Sequence, residues 1–455
     1  MAHSKRGVSN TVLVAAVAIV ALLVGAYVFI VLQPAEEEVV KLGALLPLSV
    51  PGSYQSGELM RRAMILARDQ INDNGGVLGK PLEIIVEDSG SPEKATAATE
   101  KLITQDNVVA IVGEFHSSQC KVEIEIVHEK HIPFLIAECW SDTITGLQYE
   151  EVFRIAPYSS YVSRISYVKF IQAAGFDNIV MLAEDTEFGV DLDSAMKDAL
   201  ESVGLSYTSN IVSRTAPDFT SELLAFTQMT PAPDLLMNMV TGNGAYLIID
   251  QAEEVGLDIP ILGIGSASAN EEIWEVAGDR AIGLLFPTMY SSKLEVTSVG
   301  EEFVQGFKER WEDREPEHTS MEAYDTVLMM VAAIEKAECG TQSPGCSDKI
   351  IEALETWTGE DNTFLGTRGR IYFGALEDED ALGFSLYHTW PEVPILIMQY
   401  TEFGQGAGAE RVKSGVSQAD CVAKGGSYDA DAGACNYGQA EIVFPEEVKT
   451  AEPQY

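Results

Sequence analysis

The chain has 455 residues and a formal net charge of −41, with 46% hydrophobic and 8% aromatic residues. At roughly 150 residues per domain this length predicts about three domains, and the apolar content excludes a chain that is disordered throughout. So acidic a surface repels phosphate backbones and anionic lipids, which excludes a nucleic-acid partner. The charge indicates no particular partner, since an acidic coat also suits any solvated, exposed surface.

A long uncharged segment near the N-terminus predicts a membrane anchor. Residues 11–32 read TVLVAAVAIVALLVGAYVFIVL, with Lys5 and Arg6 before them and three glutamates at 36–38 after them. As a helix this run spans about 33 Å, enough for a hydrocarbon core of about 30 Å. The positive flank predicts that residues 1–10 are cytoplasmic and that the acidic remainder lies outside. A cleaved signal peptide is the alternative, but the bulky end of the run favours an uncleaved anchor.

The cysteines agree with an outside location. Their number is even, and two pairs bracket loops rich in glycine, Cys339 with Cys346 and Cys421 with Cys435. Such spacing predicts two short disulfides in an oxidising compartment. Cys120 and Cys139 stay open between a third disulfide and buried free thiols. No pair has the C-x-x-C spacing of zinc or redox sites, so no metal site is predicted.

From Lys41 to about Gly283 the sequence alternates short apolar runs with amphipathic stretches. Apolar residues from Met60 to Ile71 follow helical spacing, and Asn74-Gly75-Gly76 ends that helix. Unbroken apolar runs indicate strands buried on both faces, so we expect an α/β fold of parallel sheets covered by helices. The candidate strands are 41–48, 82–88, 108–114, 133–138, 152–157, 178–185, 234–240, 260–266 and 281–288.

The later part of the chain has a different pattern. Residues 296–357 predict two or three successive helices, and the strand-like segments 368–374, 383–390 and 394–400 follow them. The tail from about Gly404 is rich in glycine, alanine and acidic residues and is predicted to be an appendage. Two α/β units with a helical return and late strands predict two lobes that the chain crosses more than once.

Sequence motifs of enzymes are absent. The chain has no G-x-x-x-x-G-K-[ST] loop, no G-x-S-x-G elbow and no H-E-x-x-H pair. His128 and His131 share one helix face, but they lie at its C-terminal end, where cationic groups are favoured without a metal. We therefore expect no enzymatic activity, no catalytic residue and no cofactor.

One group of residues predicts a binding site. The strand at 108–114 leads into Phe115 and then into Ser117 and Ser118, which open a helix whose first N–H groups have no partners within it. Such a helix start can receive a carboxylate or another acceptor, although simple capping explains the serines equally. The next strand leads into Trp140 and a further serine, at the same sheet edge where ligands of open α/β sheets bind.

From Leu42 to Ala95 the sequence closely resembles the opening of the branched-chain amino-acid-binding family of ABC-transporter substrate-binding proteins. The match continues through V-x-A-I-V-G-x-F-x-S-S, I-P-F-L, V-F-R-I-A-P and E-D-T-E-F-G and covers most of residues 40–400. It implies the type I periplasmic-binding fold, in which two doubly wound lobes joined by three crossings close on a ligand. The lobe boundaries that follow from it are 40–157 plus 289–372 for lobe 1, 158–288 plus 373–403 for lobe 2, and 404–455 for the acidic appendage.

The resemblance also implies roles for single residues. Ser117 matches the serine that holds the ligand carboxylate, and Ser141 matches a hydroxyl that binds the α-amino or carboxylate group. Tyr54 and Phe188 match aromatic residues that wall the pocket, and the second lobe contributes groups near Thr241.

Three features depart from the family pattern. The loop that carries the ammonium-binding acid in amino-acid-binding members reads GIGSAS here, with Gly265 and Ser266 and no acid. Glu114 and Glu138 instead bring acids to the lobe 1 rim, so either they point away or the ligand is cationic or neutral. Trp140 is placed to stack on a ligand, to contact a cation or to narrow the cleft.

The expected function is that of an anchored extracytoplasmic receptor. It captures a small polar solute, an amino acid or an amide-like compound, and presents it to the permease of an ABC importer. A ligand sensor and a structural cell-surface protein are the alternatives with the same fold.

Overall fold

Two β-sheets organise the chain from Val40 onward in the computed structural model, which describes residues 38–264, 266–311, 316–380, 383–451 and 453–454. The N-terminal unit, residues 1–39, is described only at residues 38 and 39, so the predicted anchor at 11–32 lies outside the described residues. Among the described helices, none combines the length and the apolar character that a membrane crossing requires.

The first sheet is parallel throughout and has the strand order β2-β1-β3-β4-β5. Its strands are β1 (Val40–Leu46), β2 (Leu82–Asp88), β3 (Ala110–Gly113), β4 (Phe134–Ile136) and β5 (Val152–Arg154). Each coincides with a predicted strand. The central strands β1 and β3 are almost wholly buried, because helices cover both faces of the sheet.

The second sheet has seven strands in the order β17-β13-β10-β9-β8-β6-β7. Its strands are β6 (Asn178–Glu184), β7 (Ser206–Val212), β8 (Leu235–Met239), β9 (Ile261–Gly263), β10 (Leu285–Thr288), β13 (Leu396–Gln399) and β17 (Glu441–Phe444). The predicted parallel pairing is confirmed from β7 to β10, and the sheet adds an antiparallel end, where β13 runs antiparallel to β10 and β17 runs antiparallel to β13. Parallel neighbours need a crossover helix between them. Strand β13 instead follows the segment that comes from lobe 1, and β17 follows the tail, so both can pair in the antiparallel direction.

Helices cover the two sheets and lie between their strands. The α-helices are α1 (Tyr54–Asp73), α2 (Pro92–Thr104), α3 (Ser117–Lys130), α4 (Thr143–Gly146), α5 (Ser159–Val162), α6 (Val168–Ala174), α7 (Glu187–Val203), α8 (Thr220–Thr227), α9 (Asn243–Glu254), α10 (Ile273–Val276), α11 (Ser298–Arg310), α12 (His318–Ala337), α13 (Cys346–Glu355) and α14 (Gln418–Ala423). The described part of the chain also has a π-helical turn (Ser163–Tyr167) and three 3₁₀ turns (Ser266–Ala269, Gly278–Ala281, Glu446–Val448). Of the two or three helices predicted within residues 296–357, the structure has three, α11, α12 and α13.

Helix ends follow signals in the sequence. Ser91 accepts a hydrogen bond from the N–H of Lys94 at the start of α2, and Pro92 occupies the first turn. Helix α7 ends at Gly204, which has a φ of 75°, a left-handed conformation that glycine adopts without strain.

The chain passes between the two sheets three times. We call the first sheet with its helices lobe 1 and the second sheet with its helices lobe 2. The chain enters lobe 2 after Arg154, returns to lobe 1 after Thr288, where α12 packs against α1, and enters lobe 2 again before Leu396. The lobe boundaries expected from the sequence remain a prediction, but the three crossings belong to the fold implied by the resemblance.

The tail differs from the predicted appendage, because it completes lobe 2. Strand β17 pairs with β13, and its Ile442 is fully buried. The rest of the tail folds into a small sheet of β14 (Val412–Ser414), β16 (Ala434–Asn436) and β15 (Ser427–Asp429), beside α14 and closed by the Cys421–Cys435 disulfide. The short strand E-I-V-F was not predicted, because the tail around it is rich in glycine and acidic residues.

Other strand predictions also need correction. The segment 368–374 forms only a two-residue strand, β12 (Arg370–Ile371), which pairs with β11 (Phe364–Leu365) outside both large sheets. The segment 383–390 makes isolated bridges and no regular strand. Strand β7 was not predicted, because it lies at a sheet edge and its sequence S-Y-T-S-N-I-V is partly exposed.

Three disulfides link the six cysteines. Cys339–Cys346 and Cys421–Cys435 are the two predicted pairs, and Cys120–Cys139 forms the third, which the sequence left open. The third disulfide joins α3 to the loop after β4, elements that lie side by side only because β3 and β4 are neighbours in the sheet.

Two acidic side chains are fully buried beside β3. Glu114 accepts hydrogen bonds from Ser89 and from the N–H of His116, whereas neither carboxyl oxygen of Glu123 has a hydrogen-bond partner. Burial raises the pKa of Glu114 to about 7 against the effect of these hydrogen bonds. Burial and the charge of Glu114 raise the pKa of Glu123 well above its usual range.

Replacement of Ile442 by alanine tests the role of the tail in lobe 2. Because Ile442 is fully buried among side chains of β10 and β13, we expect I442A to lower the free energy of unfolding by about 2–5 kcal/mol. The control is V422A in the same tail, where the side chain is 61% exposed. Urea unfolding measures the free energy of unfolding of both variants. Equal stability of I442A and V422A would show that the tail is an independent appendage.

The buried carboxyl of Glu114 predicts a pH dependence of stability. In the unfolded chain its pKa is about 4.3, so between about pH 5 and 8 the unfolded state ionises first and the folded state loses stability as pH rises. The raised pKa corresponds to a loss on the order of 3 kcal/mol. We expect E114Q to unfold in urea with a markedly smaller loss of stability between pH 5 and pH 8, whereas E125Q, at an exposed site on α3, keeps the wild-type loss.

Candidate ligand-binding site

A small cavity opens where both lobes contribute residues. Loops after the carboxyl ends of β3, β4 and β8 reach it, together with the starts of α7 and α12 and a residue of β10. Ligands of open α/β sheets bind outside such carboxyl ends. The lining residues are Phe115, His116, Ser117, Glu138, Trp140, Phe188, Thr241, Pro287 and His318.

Five of the eight predicted site residues line this cavity. Phe115, Ser117 and Trp140 come from lobe 1, and Phe188 and Thr241 come from lobe 2. The structure therefore brings them together around one space, and their contact with a ligand stays a prediction.

The other three predicted residues lie outside the cavity lining. Tyr54 begins α1 and is 49% exposed. The hydroxyl of Ser118 accepts the N–H of Glu187 at 3.3 Å, which makes it a contact between the lobes. Ser141 is fully buried, and its N–H donates to Oγ of Ser117 at 3.1 Å, so it supports a cavity residue from behind.

Four lining residues were not among the predicted site residues. His116 and Glu138 are polar residues at strand ends in the sequence, and Glu138 is one of the two acids that the sequence brings to the rim of lobe 1. Pro287 and His318 come from distant parts of the chain, and no local motif marks them. Gly265 and the side chain of Ser266, where the family acid is missing, lie outside what the structure describes.

The loop after β4 is held in place from two sides. Cys139 forms the disulfide with Cys120 on α3, and its carbonyl accepts a hydrogen bond from the buried guanidinium of Arg154 at 3.0 Å. The same guanidinium donates to the carbonyl of Ser141 at 2.7 Å and to Oγ1 of Thr145 at 2.7 Å. These bonds determine the path of the loop on both sides of Trp140.

Glu138 is the acidic group of the cavity. Its side chain accepts a hydrogen bond from Nε1 of Trp140 and lies 3.2 Å from Nε2 of His318. Burial alone would raise the pKa of Glu138, but the hydrogen bond and charge of His318 outweigh burial and lower it below its usual range. The second ring nitrogen of His318 lies 3.3 Å from Oγ1 of Thr288, which orients the imidazole.

Further charged groups lie behind Glu138. Glu322 is fully buried and 3.2 Å from the guanidinium of Arg368, and burial together with the charge of Glu138 raises its pKa well above the usual range. Burial raises the pKa of Asp325 to about 6 against the charge of Arg368 and the hydrogen bonds from Thr367.

Among the residues that the structure describes, two groups of side chains have the composition and spacing to hold a metal ion. Ligand atoms of Glu138, His318 and Glu322 lie within 4.8 Å of one another, and so do those of His131, Glu150 and Glu151. In the second group the carboxylate of Glu151 already pairs with His131 at 2.6 Å and with His128 at 2.8 Å. Both groups form through tertiary contacts that no spacing in the sequence reveals.

His116 is a neutral group at the cavity floor. Burial, with a smaller effect from the charge of Arg214, lowers its pKa well below the usual range. Its Nε2 accepts the N–H of Ser53 at 3.0 Å, so the proton of the neutral ring is on Nδ1. The imidazole therefore adds polarity to the cavity without adding positive charge.

Aromatic rings from both lobes meet over the cavity. Trp140 of lobe 1 and Phe188 of lobe 2 are 6.2 Å apart between centroids, with their planes at 75°. Thr241 faces them, and its N–H and hydroxyl both donate to Glu184 at 2.7 Å, so its hydroxyl proton is already used. A ligand here contacts ring surfaces and acceptor oxygens more than free donors.

Polar contacts join the lobes beside the cavity. Lys121 on α3 pairs with the carboxylate of Glu187 on α7 at 2.8 Å, and the hydroxyl of Thr143 donates to the same carboxylate at 3.0 Å. The N–H of Asp142 donates to Asp191 at 3.0 Å. Helix α7 is therefore the main lobe 2 element in contact with the binding loops of lobe 1.

Most of this chain is similar in sequence to periplasmic binding proteins. A family model for periplasmic binding proteins matches residues 39–377. The leucine-, isoleucine-, valine-, threonine- and alanine-binding protein of Pseudomonas aeruginosa is 25% identical over 357 residues, which cover 77% of this chain and 90% of the relative. A Leu/Ile/Val-binding protein homolog of Brucella suis is 23% identical over 337 residues, covering 71% and 82%.

Solved structures show the same fold. The branched-chain amino acid transporter substrate binding protein of Streptococcus pneumoniae, in complex with isoleucine, aligns with a TM-score of 0.68 at 20% identity over 80% of this chain and 98% of its own. An ABC-transporter solute binding protein of R. palustris, in complex with benzoate, aligns with a TM-score of 0.66 at 20% identity over 80% and 93%. The fold is thus the type I periplasmic-binding fold. Because the family model matches residues 39–377, the chain belongs to the branched-chain amino-acid-binding family of ABC-transporter substrate-binding proteins.

Proposed function

We propose that this protein is the solute-binding receptor of an ABC importer, which captures a small polar solute between its lobes and delivers it to a membrane permease. The observation that carries the proposal is the cavity lined from both lobes, with Trp140 and Phe188 meeting across it. A solute held by both lobes stabilises the arrangement in which they are close, and it does so without covalent chemistry.

Residues of both lobes contribute to capture in this proposal. Ser117 at the start of α3 and the hydroxyl of Thr241 provide polar contacts, and Phe115, Trp140 and Phe188 enclose the apolar part of the solute. Ser118 contributes through its bond to α7, which forms when the lobes are close. Ser141 contributes by supporting Ser117.

The relatives indicate the general class of solute. One relative is named for leucine, isoleucine, valine, threonine and alanine, and the two solved structures described above hold isoleucine and benzoate. A small solute of the amino-acid or amide class fits the proposal. The receptor acts outside the cytoplasm, as three disulfides favour, anchored by residues 11–32.

The proposed arrangement of domains changes the sequence prediction at one point. Residues 40–157 with 289–372 form lobe 1, and 158–288 with 373–403 form lobe 2. To lobe 2 we add β17, since it pairs with β13.

Solute binding is tested by thermal unfolding of the purified full chain against amino acids, amides, amines and small carboxylates. A ligand at 100 times its dissociation constant adds about 2.7 kcal/mol to the free energy of unfolding, which raises the melting temperature measurably. Small-angle X-ray scattering with a stabilising compound should then show a smaller radius of gyration. Binding without any change in that radius would contradict capture by closure.

Replacement of Trp140 by alanine tests the cavity as the capture site. Because the ring contacts both Glu138 and Phe188, we expect W140A to weaken binding of the stabilising solute by about tenfold or more, measured by calorimetry. The control is W357A, a partly buried tryptophan outside the cavity lining, which should lower stability and leave solute affinity within twofold. Equal losses of affinity in both variants would place the capture site elsewhere.

A further inference from the structure

A cluster of histidine and carboxyl side chains lies in lobe 1, outside the capture cavity. It forms where the C-terminal end of α3 meets the start of β5 and the first turn of α13. We call it the α3-end cluster, and its members are His128, His131, Glu150, Glu151 and Asp348. Because α3 begins at the cavity and runs for 14 residues, about 20 Å of helix separates the cluster from the cavity.

Glu151 is the buried centre of the α3-end cluster. Its side chain is 1% exposed, and its two carboxylate oxygens lie 2.8 Å from Nδ1 of His128 and 2.6 Å from Nδ1 of His131. The ring of His128 stacks on that of Tyr149 at 3.9 Å between centroids, which holds the imidazole in this position. Two imidazole nitrogens are therefore directed at one carboxylate.

The ring of His131 lies between two carboxylates. Its Nδ1 faces Glu151, and its Nε2 lies 2.7 Å from Oδ1 of Asp348. A neutral imidazole has one N–H, so two hydrogen bonds to carboxylates require a proton on each nitrogen. A metal ion on Nδ1 suits the same arrangement, because Nε2 then keeps its proton and donates it to Asp348. Histidines that bind metal ions almost always donate their other N–H to such an acceptor.

The spacing of the ligand atoms suits a small divalent ion. Ligand atoms of His131, Glu150 and Glu151 lie within 4.8 Å of one another. Nδ1 of His131 is 2.6 Å from a carboxylate oxygen of Glu151 and 3.6 Å from one of Glu150. Two ligand atoms of a tetrahedral zinc ion, each about 2.0–2.1 Å from the metal, lie about 3.3 Å apart, which falls between these two distances. The side chain of Glu150 is exposed, so it can adjust to complete the set.

The charge of the cluster also favours a cation. Glu150, Glu151 and Asp348 face two imidazoles, and within the described ranges none of the three forms an ion pair with a lysine or an arginine. The cluster therefore stays negative even with both imidazoles charged. The last carbonyl groups of α3 add negative potential at the same place.

We propose that the α3-end cluster binds a divalent transition-metal ion of the zinc class, with His131, Glu150 and Glu151 as ligands. His128 lies within reach as a fourth ligand, and Asp348 positions the ring of His131. Imidazole nitrogens favour such ions over Ca²⁺ and Mg²⁺, which prefer oxygen ligands. The ion links α3 and the start of β5 to α13, which joins lobe 1 only after the chain has returned from lobe 2. Its role is to stabilise lobe 1, independently of the proposed solute binding.

Calorimetric titration of the untagged, chelator-treated full chain with Zn²⁺ tests the proposal. At pH 7.5 we expect one equivalent of Zn²⁺ to bind about a hundredfold or more tightly than Ca²⁺ or Mg²⁺ and to raise the melting temperature. Ca²⁺ and Mg²⁺ are the controls, because so acidic a chain attracts any divalent cation weakly. Co²⁺ in the same place should give the visible absorption of an ion with nitrogen and oxygen ligands.

The variants H131Q and D348A test the assignment of residues. Loss of the ligand His131 should weaken Zn²⁺ binding by about a hundredfold or more, and loss of the acceptor behind its ring in D348A by about tenfold. The matched control is H318Q, because His318 belongs to the other group of potential metal ligands and also pairs with a buried glutamate. It should bind Zn²⁺ within about twofold of wild type, since the two groups share no residue.

Three outcomes would overturn the proposal: wild-type Zn²⁺ affinity in H131Q, loss of affinity in H318Q in place of H131Q, or Zn²⁺ binding no tighter than Mg²⁺ binding. The second outcome would place the ion in the capture cavity. None of them bears on solute binding, which the compound screen measures separately. Should circular dichroism show that H131Q does not fold, D348A at its exposed position on α13 decides, together with its Co²⁺ spectrum.

Discussion

The buried guanidinium of Arg154 holds the central part of the structure together. Arg154 is fully buried, and burial lowers its pKa to about 10 against the nearby charges of Asp142 and other groups, so it stays positively charged. Its side chain binds the carbonyls on either side of Trp140. Its backbone binds His388 and Trp390 in the third crossing between the lobes. One residue therefore positions the binding loop of lobe 1 and the segment about which the lobes are connected.

The two halves of the cavity are held in different ways. Lobe 1 supplies loops that are tied to each other by Ser117 and Ser141 and to α3 by a disulfide. Lobe 2 supplies the start of α7, whose Glu187 bonds to groups of lobe 1. A rigid half loses little conformational entropy on binding, so the affinity for a solute depends mainly on how well the second half closes over it.

Local features of this molecule follow from its sequence, and long-range ones do not. The strands of lobe 1 and the loops at Ser117 and Trp140 were predictable, because apolar runs and helix-start residues are local signals. His318 reaches the cavity from a helix that begins about 180 residues after Trp140, so its contact with Glu138 is a tertiary contact that no local sequence pattern indicates. Glu138 was visible in the sequence as an acid at the rim of lobe 1, but only the structure shows that its side chain accepts a hydrogen bond from Trp140.

Strand β17 has a consequence for the order in which the chain folds during synthesis. Lobe 1 has all five strands of its sheet once residue 154 has left the ribosome, whereas the second sheet lacks its edge until residue 444 has emerged. Until then β13, if formed, presents an unpaired row of N–H and C=O groups to other chains in the cell. The last strand of lobe 2 thus pairs with the row of groups that β13 would otherwise present to other chains, and β17 becomes the edge of the finished sheet.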